Sequence, residues 1–435
     1  MTALLSHYFT RLDRCQPWRW QGRVLESVGQ TIESAGPLSS VGECCEITDR
    51  HGRSHLAEVI GFRGANVLSM PVETTDGIRF GDRVSALGGR PQIEVGEVLM
   101  GRVLNALGEP IDGAGTPASA ASFVLDGKVR PPLDRVPIRT PLGTGIRVVD
   151  ALLTTGRGQR VGIFGGSGVG KSTLIGMMTR NTEADVTVVG LVGERGREVG
   201  EFLDDALGEE GRKKSVVLVS TSDQSPLLRM RAALAATTVA EFFASQGRHV
   251  LLVLDSLTRF AMAAREVGLA AGEPPTAKGY TPSVFSRLAR LVERTGQFRT
   301  GSITAFYTVL MEGDDQQDPV VDTVRSLLDG HVILDRRLAA KGHYPPIAVL
   351  DSLSRLMPSI VSSDHLKKVT DLRKLLAAYA RSEDLIRIGA YQRGSDAILD
   401  RAVEVLPKVE EFLRQNTSEL CPFAETMQLL SALPS

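Results

Sequence analysis

The sequence predicts an α/β protein in three parts. A doubly wound parallel sheet carries a phosphate-binding loop, a small β-barrel precedes it, and a helical region follows. Three observations predict this. Residues 160–173 read R-V-G-I-F-G-G-S-G-V-G-K-S-T, an apolar strand, then G-x-x-x-x-G-K-S, then a helical start. Between residues 159 and 345, short Val-, Ile- and Leu-rich runs alternate with helical patterns, as buried parallel strands and their crossovers do. The flanks differ from this core, with β-rich pieces before it and mixed charged–apolar helices after it. The divisions expected are 1–17, 18–90, 91–345 and 346–435.

The 435 residues carry 50 Lys and Arg against 51 Asp and Glu, a net charge of −1. That balance offers no basic excess for nucleic acid, and no nucleic-acid partner is expected. The cysteines, Cys15, Cys44, Cys45 and Cys421, show no C-x-x-C spacing. A reduced, cytoplasmic setting without structural zinc is expected. No apolar run approaches the roughly 18–20 residues of a membrane span, and there is no secretory signal.

Taken in order, Leu4, Leu5, Tyr8, Phe9 and Leu12 share one face of a short amphipathic helix over 1–17. It reads either as a docking or membrane-surface segment, or as a helix packed on its own domain or a frayed terminus. Residues 22–25, 45–48, 56–62, 66–70 and 83–87 read as short strands separated by turns such as D-R-H-G and G-G. Residues 91–158 form a Gly- and Pro-rich connection holding G-R-V-L-N-A-L-G-E-P-I-D-G at 101–113, a strand followed by turns. The core strands are expected at 161–164, 186–192, 216–220, 250–254, 303–307 and 332–334. Helices are expected at 171–180, 196–208, 226–246, 256–268, 282–296 and 319–328. The last region should hold helices at 363–381, 395–404, 406–415 and 423–433, with a turn at 389–396.

The chemistry gathers on the loop. Gly165, Gly166, Ser167, Gly168, Val169 and Gly170 can turn backbone N–H groups onto phosphate oxygens, at the positive end of the following helix. Lys171 would reach the β- and γ-phosphates, Ser172 would hold Mg²⁺, and Thr173 follows on the loop. The strand V-L-L-V-L-D ends in Asp255, placed to hold Mg²⁺ through a water; its alternative is to cap the next helix. Glu194 stands just beyond another strand, where it can orient the attacking water or serve a helix dipole; spacing alone leaves both open.

These segments together with V-G-E-R-G-R-E-V and L-D-S-L-T-R-F resemble the rotary-type ATPase superfamily and its catalytic β-like subunits. The stretch 301–319, with D-D-Q-Q-D-P, is more similar to the ATPases of type III protein export, in their flagellar branch. L-D-G-H-V-I-L at 328–334 and A-Y-Q-R-G-S-D at 390–396 agree, and the likeness covers roughly residues 20–420. It implies a homohexamer of RecA-like cores with β-barrels and C-terminal helical domains, and sites between subunits. It implies ATP and Mg²⁺ as cofactors, Glu194 as catalytic glutamate, Asp255 as the Walker B carboxylate, and Arg195 and Arg259 near the phosphates. Within 343–355, Tyr344 would stack on adenine and Arg355 would reach the neighbouring subunit's site.

A Mg-dependent, protein-secreting ATPase follows, peripheral at the cytoplasmic face of the inner membrane. Its implied partners are a stator protein, a central stalk protein, the export gate, and export substrates with their chaperones. About 18 residues precede the barrel, so no long stator-binding extension is expected, and Y-P-P-I-A differs from the usual Y-P-A-I-D without expected loss of activity. The alternatives are an injectisome ATPase, an ATP synthase subunit, a non-catalytic nucleotide-binding subunit, and a hexameric RNA translocase. The turn at 391–396 lacks the acidic loop of synthase subunits, Glu194 argues against a non-catalytic subunit, and neutral charge with 5% aromatics argues against a translocase.

Overall fold

The computed structural model describes residues 19–117, 121–311 and 318–434. The amphipathic segment expected at 1–17 lies outside these residues, as does most of the D-D-Q-Q-D-P stretch.

Six strands close the N-terminal barrel: β1 (Gln21–Val28), β2 (Thr31–Ala35), β3 (Cys44–Thr48), β4 (Ser54–Arg63), β5 (Asn66–Pro71) and β6 (Arg83–Ala86). Their order is β1-β2-β5-β4-β3-β6, antiparallel throughout, so the barrel leaves no free edge. Val24, Ile32, Cys45, Ile47, Val59, Val67 and Val84 fill its interior. The sequence reading passed over β2. Its inward face carries one aliphatic residue, Ile32, and a serine, Ser34, whose hydroxyl donates to the Gly36 carbonyl at 2.6 Å. Alternation that thin gives no periodic signal.

Short ladders tie down the connection: β7 (Gln92–Val95) with β9 (Ala121–Val124), and β10 (Pro141–Leu142) with β11 (Thr155–Gly156). Between them β8 (Val103–Asn105) leaves to join the core sheet beside β14, parallel to it. The core strands are β12 (Arg160–Gly165), β13 (Val186–Glu194), β14 (Ser215–Thr221), β15 (His249–Asp255), β16 (Gly296–Gln297), β17 (Ser302–Leu310), β18 (Gly330–Ile333) and β19 (Leu353–Ser354). They run in the order β19-β18-β12-β17-β15-β13-β14-β8, with β16 attached to β17. All pairs are parallel except β18 with β19 and β16 with β17.

Alternate residues of these strands enter two different apolar layers. Val250, Leu252 and Leu254 pack toward the helices Pro226–Ser245, Leu257–Ala270 and Pro282–Glu293. Leu251 and Val253 pack into the layer shared by the helix Lys171–Asn181 and by Val369, Leu372, Val405 and Val409 of the C-terminal helices. Burial on both faces is why these strands read as unbroken apolar runs.

Two helical expectations need correction. Residues 395–404 and 406–415 form a single helix, Ala397–Leu413, with Pro407 inside it. Pro407 removes one backbone donor and frees the carbonyl of Val403, whose residue is 40% exposed and open to water. Buried Val405, Val409, Phe412 and Leu413 hold both halves on one apolar face. The stretch 196–208 is not one regular helix either. It runs as Gly196–Glu201, a π-helical turn Phe202–Leu207, and Gly208–Lys213. In that turn Ala206 presses on Gly176 of the helix Lys171–Asn181: a Cβ at Gly176 would lie 2.5 Å from the Ala206 carbonyl oxygen. A π turn widens the helix locally and is frequent at functional sites.

Candidate active site

The sheet brings three strand ends level. β17 lies between β12 and β15, pairing Ile163 with Thr308 and Leu254 with Tyr307, and β15 pairs Asp255 with Leu191 of β13. The loop after β12, Asp255 and Glu194 therefore emerge on the carboxyl edge of one sheet, where ligands of such folds sit.

The loop turns at Gly168 (φ 75°) and Gly170 (φ 95°), backbone conformations that L side chains rarely adopt. The helix Lys171–Asn181 begins directly after Gly170 and points its N-terminus at the loop. Lys171 is buried and folded under the loop. Its Nζ donates to the Gly165 carbonyl at 3.0 Å and to the Gly166 carbonyl. Burial pushes its pKa down, opposed by the charges of Asp255 and Glu194. Ser172 and Thr173 are exposed and open onto a cavity of about 670 Å³ that Glu198, Phe202 and Thr417 also line.

Asp255 is buried, and the Thr308 hydroxyl donates to its Oδ1 at 2.6 Å. Burial raises its pKa, against the pull of that bond and of Lys171. The capping alternative for Asp255 is wrong. Ser256 caps the helix Leu257–Ala270, its side chain accepting from the Arg259 N–H at 3.3 Å. Asp255 thus keeps Oδ2 for another partner. Its oxygens and the Ser172 hydroxyl are hard donors of the kind Mg²⁺ takes, so the residues present fit that ion.

Glu194 owes its position to a bulge. The β13–β14 register slips between Val192 and Glu194, and Gly193 sits there at φ 71°. A Cβ at Gly193 would come within 3.2 Å of the Arg259 Cβ and 3.5 Å of the Arg229 Cδ. The Glu194 carboxylate lies 3.9 Å from the Arg259 Nε. It is pushed up to about 8, by burial first, then by the hydrogen bond it shares with Glu198 and by the charge of Asp255. Glu198 moves the opposite way, lowered first by the same bond. The shared hydrogen bond therefore works in opposite directions on the two carboxyls, raising Glu194 and lowering Glu198. A carboxyl poised near neutrality can take a proton from water.

The sequence of the β-barrel region, residues 24–88, matches the ATP synthase alpha/beta family β-barrel domain. Residues 145–354 match that family's nucleotide-binding domain, and 361–432 match the T3SS EscN ATPase C-terminal domain. The chain is 49% identical to the flagellum-specific ATP synthase of Bacillus subtilis over 97% of both chains. It is 48% identical to the type 3 secretion system ATPase of Xanthomonas euvesicatoria, over 95% of this chain and 94% of that one. The solved structure of the assembled ATPase EscN of enteropathogenic E. coli superposes with a TM-score of 0.90 at 42% identity, covering 95% of this chain and 99% of EscN. EscN in complex with its central stalk EscO gives 0.87 at 41%, with the same coverage.

The chain belongs to the type III export branch of the ATP synthase alpha/beta family.

The flagellum-specific name predominates among the relatives, and the chain is an ATPase of that flagellar export kind. Its remaining candidate residues fall into two groups. Tyr344 joins the site: its ring Cε1 lies 3.7 Å from where a Cβ on Gly170 would stand, and the residue is 44% exposed. The Gln415 N–H holds the Tyr344 carbonyl at 2.8 Å, and Gln415 also bonds Arg147 and Gly145, so one buried amide joins the C-terminal domain to the loop's edge. Arg195 and Arg259 lie beside Glu194, but Arg195 is largely exposed and pairs with Glu198 at 3.3 Å.

Arg355 does not join them. It is exposed and follows β19 at the edge of the export ATPase's sheet, its N–H donating to the Asp329 carbonyl while Asp329 N–H donates to Arg160. That level is five residues upstream of Gly165, about 17 Å along the strands and roughly 10 Å across two of them.

Sequence reasoning missed Glu198, Thr308, Arg336 and Gln415. Arg336 reaches the Ser167 carbonyl at 3.4 Å from a helix whose predicted pattern was too short to register. Glu198 follows Glu194 at i+4 within the motif V-G-E-R-G-R-E-V, so like-charge spacing could have found it. Thr308 carries no pattern beyond facing Asp255 across the sheet.

Proposed function

We propose that this chain is a Mg²⁺-dependent ATP hydrolase that powers flagellar protein export, and that each site is completed by Arg355 from a neighbouring copy in a homohexamer. The observation that carries the reading is Glu194. A bulge aims it beside Lys171 and Asp255, and burial with Glu198 raises its basicity into the working range.

ATP would displace the two carbonyls that hold Lys171, and the ammonium would turn to the β- and γ-phosphates. The loop N–H groups and the helix N-terminus would carry the remaining phosphate charge. Mg²⁺, held by the Ser172 hydroxyl and through water by Asp255, would neutralise charge on the phosphoryl oxygens. Water attacks the γ-phosphorus in line with the bond to ADP. Glu194 orients it and accepts its proton as the P–O bond to the leaving group breaks. Arg259, 3.9 Å from Glu194, keeps that carboxylate in place. Tyr344 would stack on the adenine.

Arg355 of the neighbouring copy would neutralise the transferring phosphoryl group. The assembled state of EscN supports the ring, and its complex with EscO supports a central stalk partner. A stator protein, the export gate, and substrates with chaperones complete the set, at the cytoplasmic face of the inner membrane. Among the described residues no helix is long and apolar enough to cross a membrane.

Purified protein should hydrolyse ATP with Mg²⁺ and stop when EDTA is added. The gene should restore swimming to a flagellated strain lacking its export ATPase. Hydrolysis unaffected by EDTA would remove the metal from the reading, and rescue of needle secretion without motility would replace flagellar by injectisome service.

A further inference from the structure

A second cavity lies away from the catalytic edge, where the barrel meets the core. It holds about 310 Å³ between barrel residues such as Glu58 and Ile60 and the helices Pro226–Ser245 and Pro282–Glu293. Its walls carry two chemistries. Leu125, Leu227, Phe260 and Leu291 give it apolar lining, and Arg90, Arg231, Arg287, Arg290 and Arg294 line it too. Junctions between domains are common places for small-molecule sites.

The charges do not cancel. Arg294 is fully used, by Glu241 at 2.7 Å, Thr238 at 2.8 Å and the Leu125 carbonyl at 2.7 Å. Arg90 and Arg290 share one carboxylate, Asp126, at 3.3 and 3.6 Å. Arg231 is 4% exposed and pairs with Glu58 at 2.9 Å through one terminal nitrogen, while its buried Nε has no hydrogen-bond partner. Among the described residues Arg287 has the Met230 sulfur, a weak acceptor, at 3.7 Å as its hydrogen-bond partner. Among the described residues, five guanidinia around the cavity thus pair with three carboxylates, Glu58, Asp126 and Glu241, an excess of two positive charges. A buried guanidinium N–H without an acceptor is costly unless a ligand supplies one.

We infer that this junction binds a small organic anion with a phosphate monoester head and an apolar body. The head has the two negative charges the arginines lack, and its oxygens suit guanidinium forks. The apolar lining takes the body. The bound molecule would bridge the barrel to the core helices, at a place that neither Lys171 nor Glu194 lines.

The test is calorimetric, on the full chain with saturating ADP in the phosphate loop. Phenyl phosphate is the probe, with inorganic phosphate and phenol as its separated halves. Phenyl phosphate should bind once per chain, at least about tenfold more tightly than either half. Arg287→Ala should weaken it about tenfold, and Arg290→Ala, at the exposed rim, should weaken it less. ATP turnover without the probe should stay unchanged in both variants. Absence of saturable binding would overturn the site, as would binding lost on adding ADP or unchanged in both variants. Inorganic phosphate binding as tightly as phenyl phosphate would overturn the organic ligand.

Discussion

The two ends of the core sheet are built differently. At the carboxyl end, the phosphate loop, Asp255 and Glu194 converge, and each is held by neighbours from its own chain: Lys171 by loop carbonyls, Asp255 by Thr308, Glu194 by Arg259 and Glu198. At the opposite end and outer edge, Arg355 stands exposed, and its side chain has no ion pair among the described residues. One end is a preorganised site, and the other presents a cation outward. The difference teaches that Arg355 cannot serve its own chain's phosphate loop, and on the proposed reading it would serve a neighbour's.

The sharpest way to break this comparison is to remove Arg355. Arg355→Ala should lower kcat by about 10³–10⁵ while ATP binding stays near wild type. Mixing it with Lys171→Ala, itself inactive, should restore part of the turnover, since the first variant keeps its phosphate loop and the second its arginine. Steady-state kinetics on mixed preparations reads this directly, and failure to complement would place Arg355 outside the site.

At the other end, Glu194→Gln should cost about 10²–10⁴ in kcat and leave binding of a fluorescent ATP analogue intact. Residual activity near wild type would remove Glu194 from its role. Gly193→Ala tests the bulge that aims it. The new Cβ meets Arg259 at 3.2 Å in a backbone conformation of φ 71°, so a turnover loss of roughly tenfold and a lower melting temperature are expected.

The smallest effect concerns pH. Glu194 must be ionised to accept a proton, so kcat/KM should rise with pH through its raised pKa near 8. Glu198→Ala removes a hydrogen bond and a charge that both raise it, and the acidic limb should move to lower pH. An unmoved limb would show that another group controls it.

Much of the carboxyl end was legible in the sequence, because its parts are local. A glycine loop after a strand and before a helix, and carboxylates at strand tips, are patterns a few residues long. Glu194 was legible as a position but ambiguous as a role, since the bulge at Gly193 that decides its aim depends on pairing with β14. Tyr344 and Arg355 had no local pattern, and only likeness to a family pointed to them. Glu58 and Arg231, partners across the barrel–core junction, are 173 residues apart in the chain. The helix through Pro407 was misread for the same reason: the burial that holds it comes from other elements.

Arg355 on the sheet's outer edge has a consequence for economy in the cell. If Arg355 completes a neighbour's site as proposed, a chain whose own arginine lies about 17 Å along the strands from its own phosphate loop should be idle when dispersed. Its specific activity should climb with protein concentration as copies meet, and fall again on dilution. ATP consumption would then work as an occupancy gauge for the finished machine, and surplus copies between synthesis and installation would hold nucleotide without draining it.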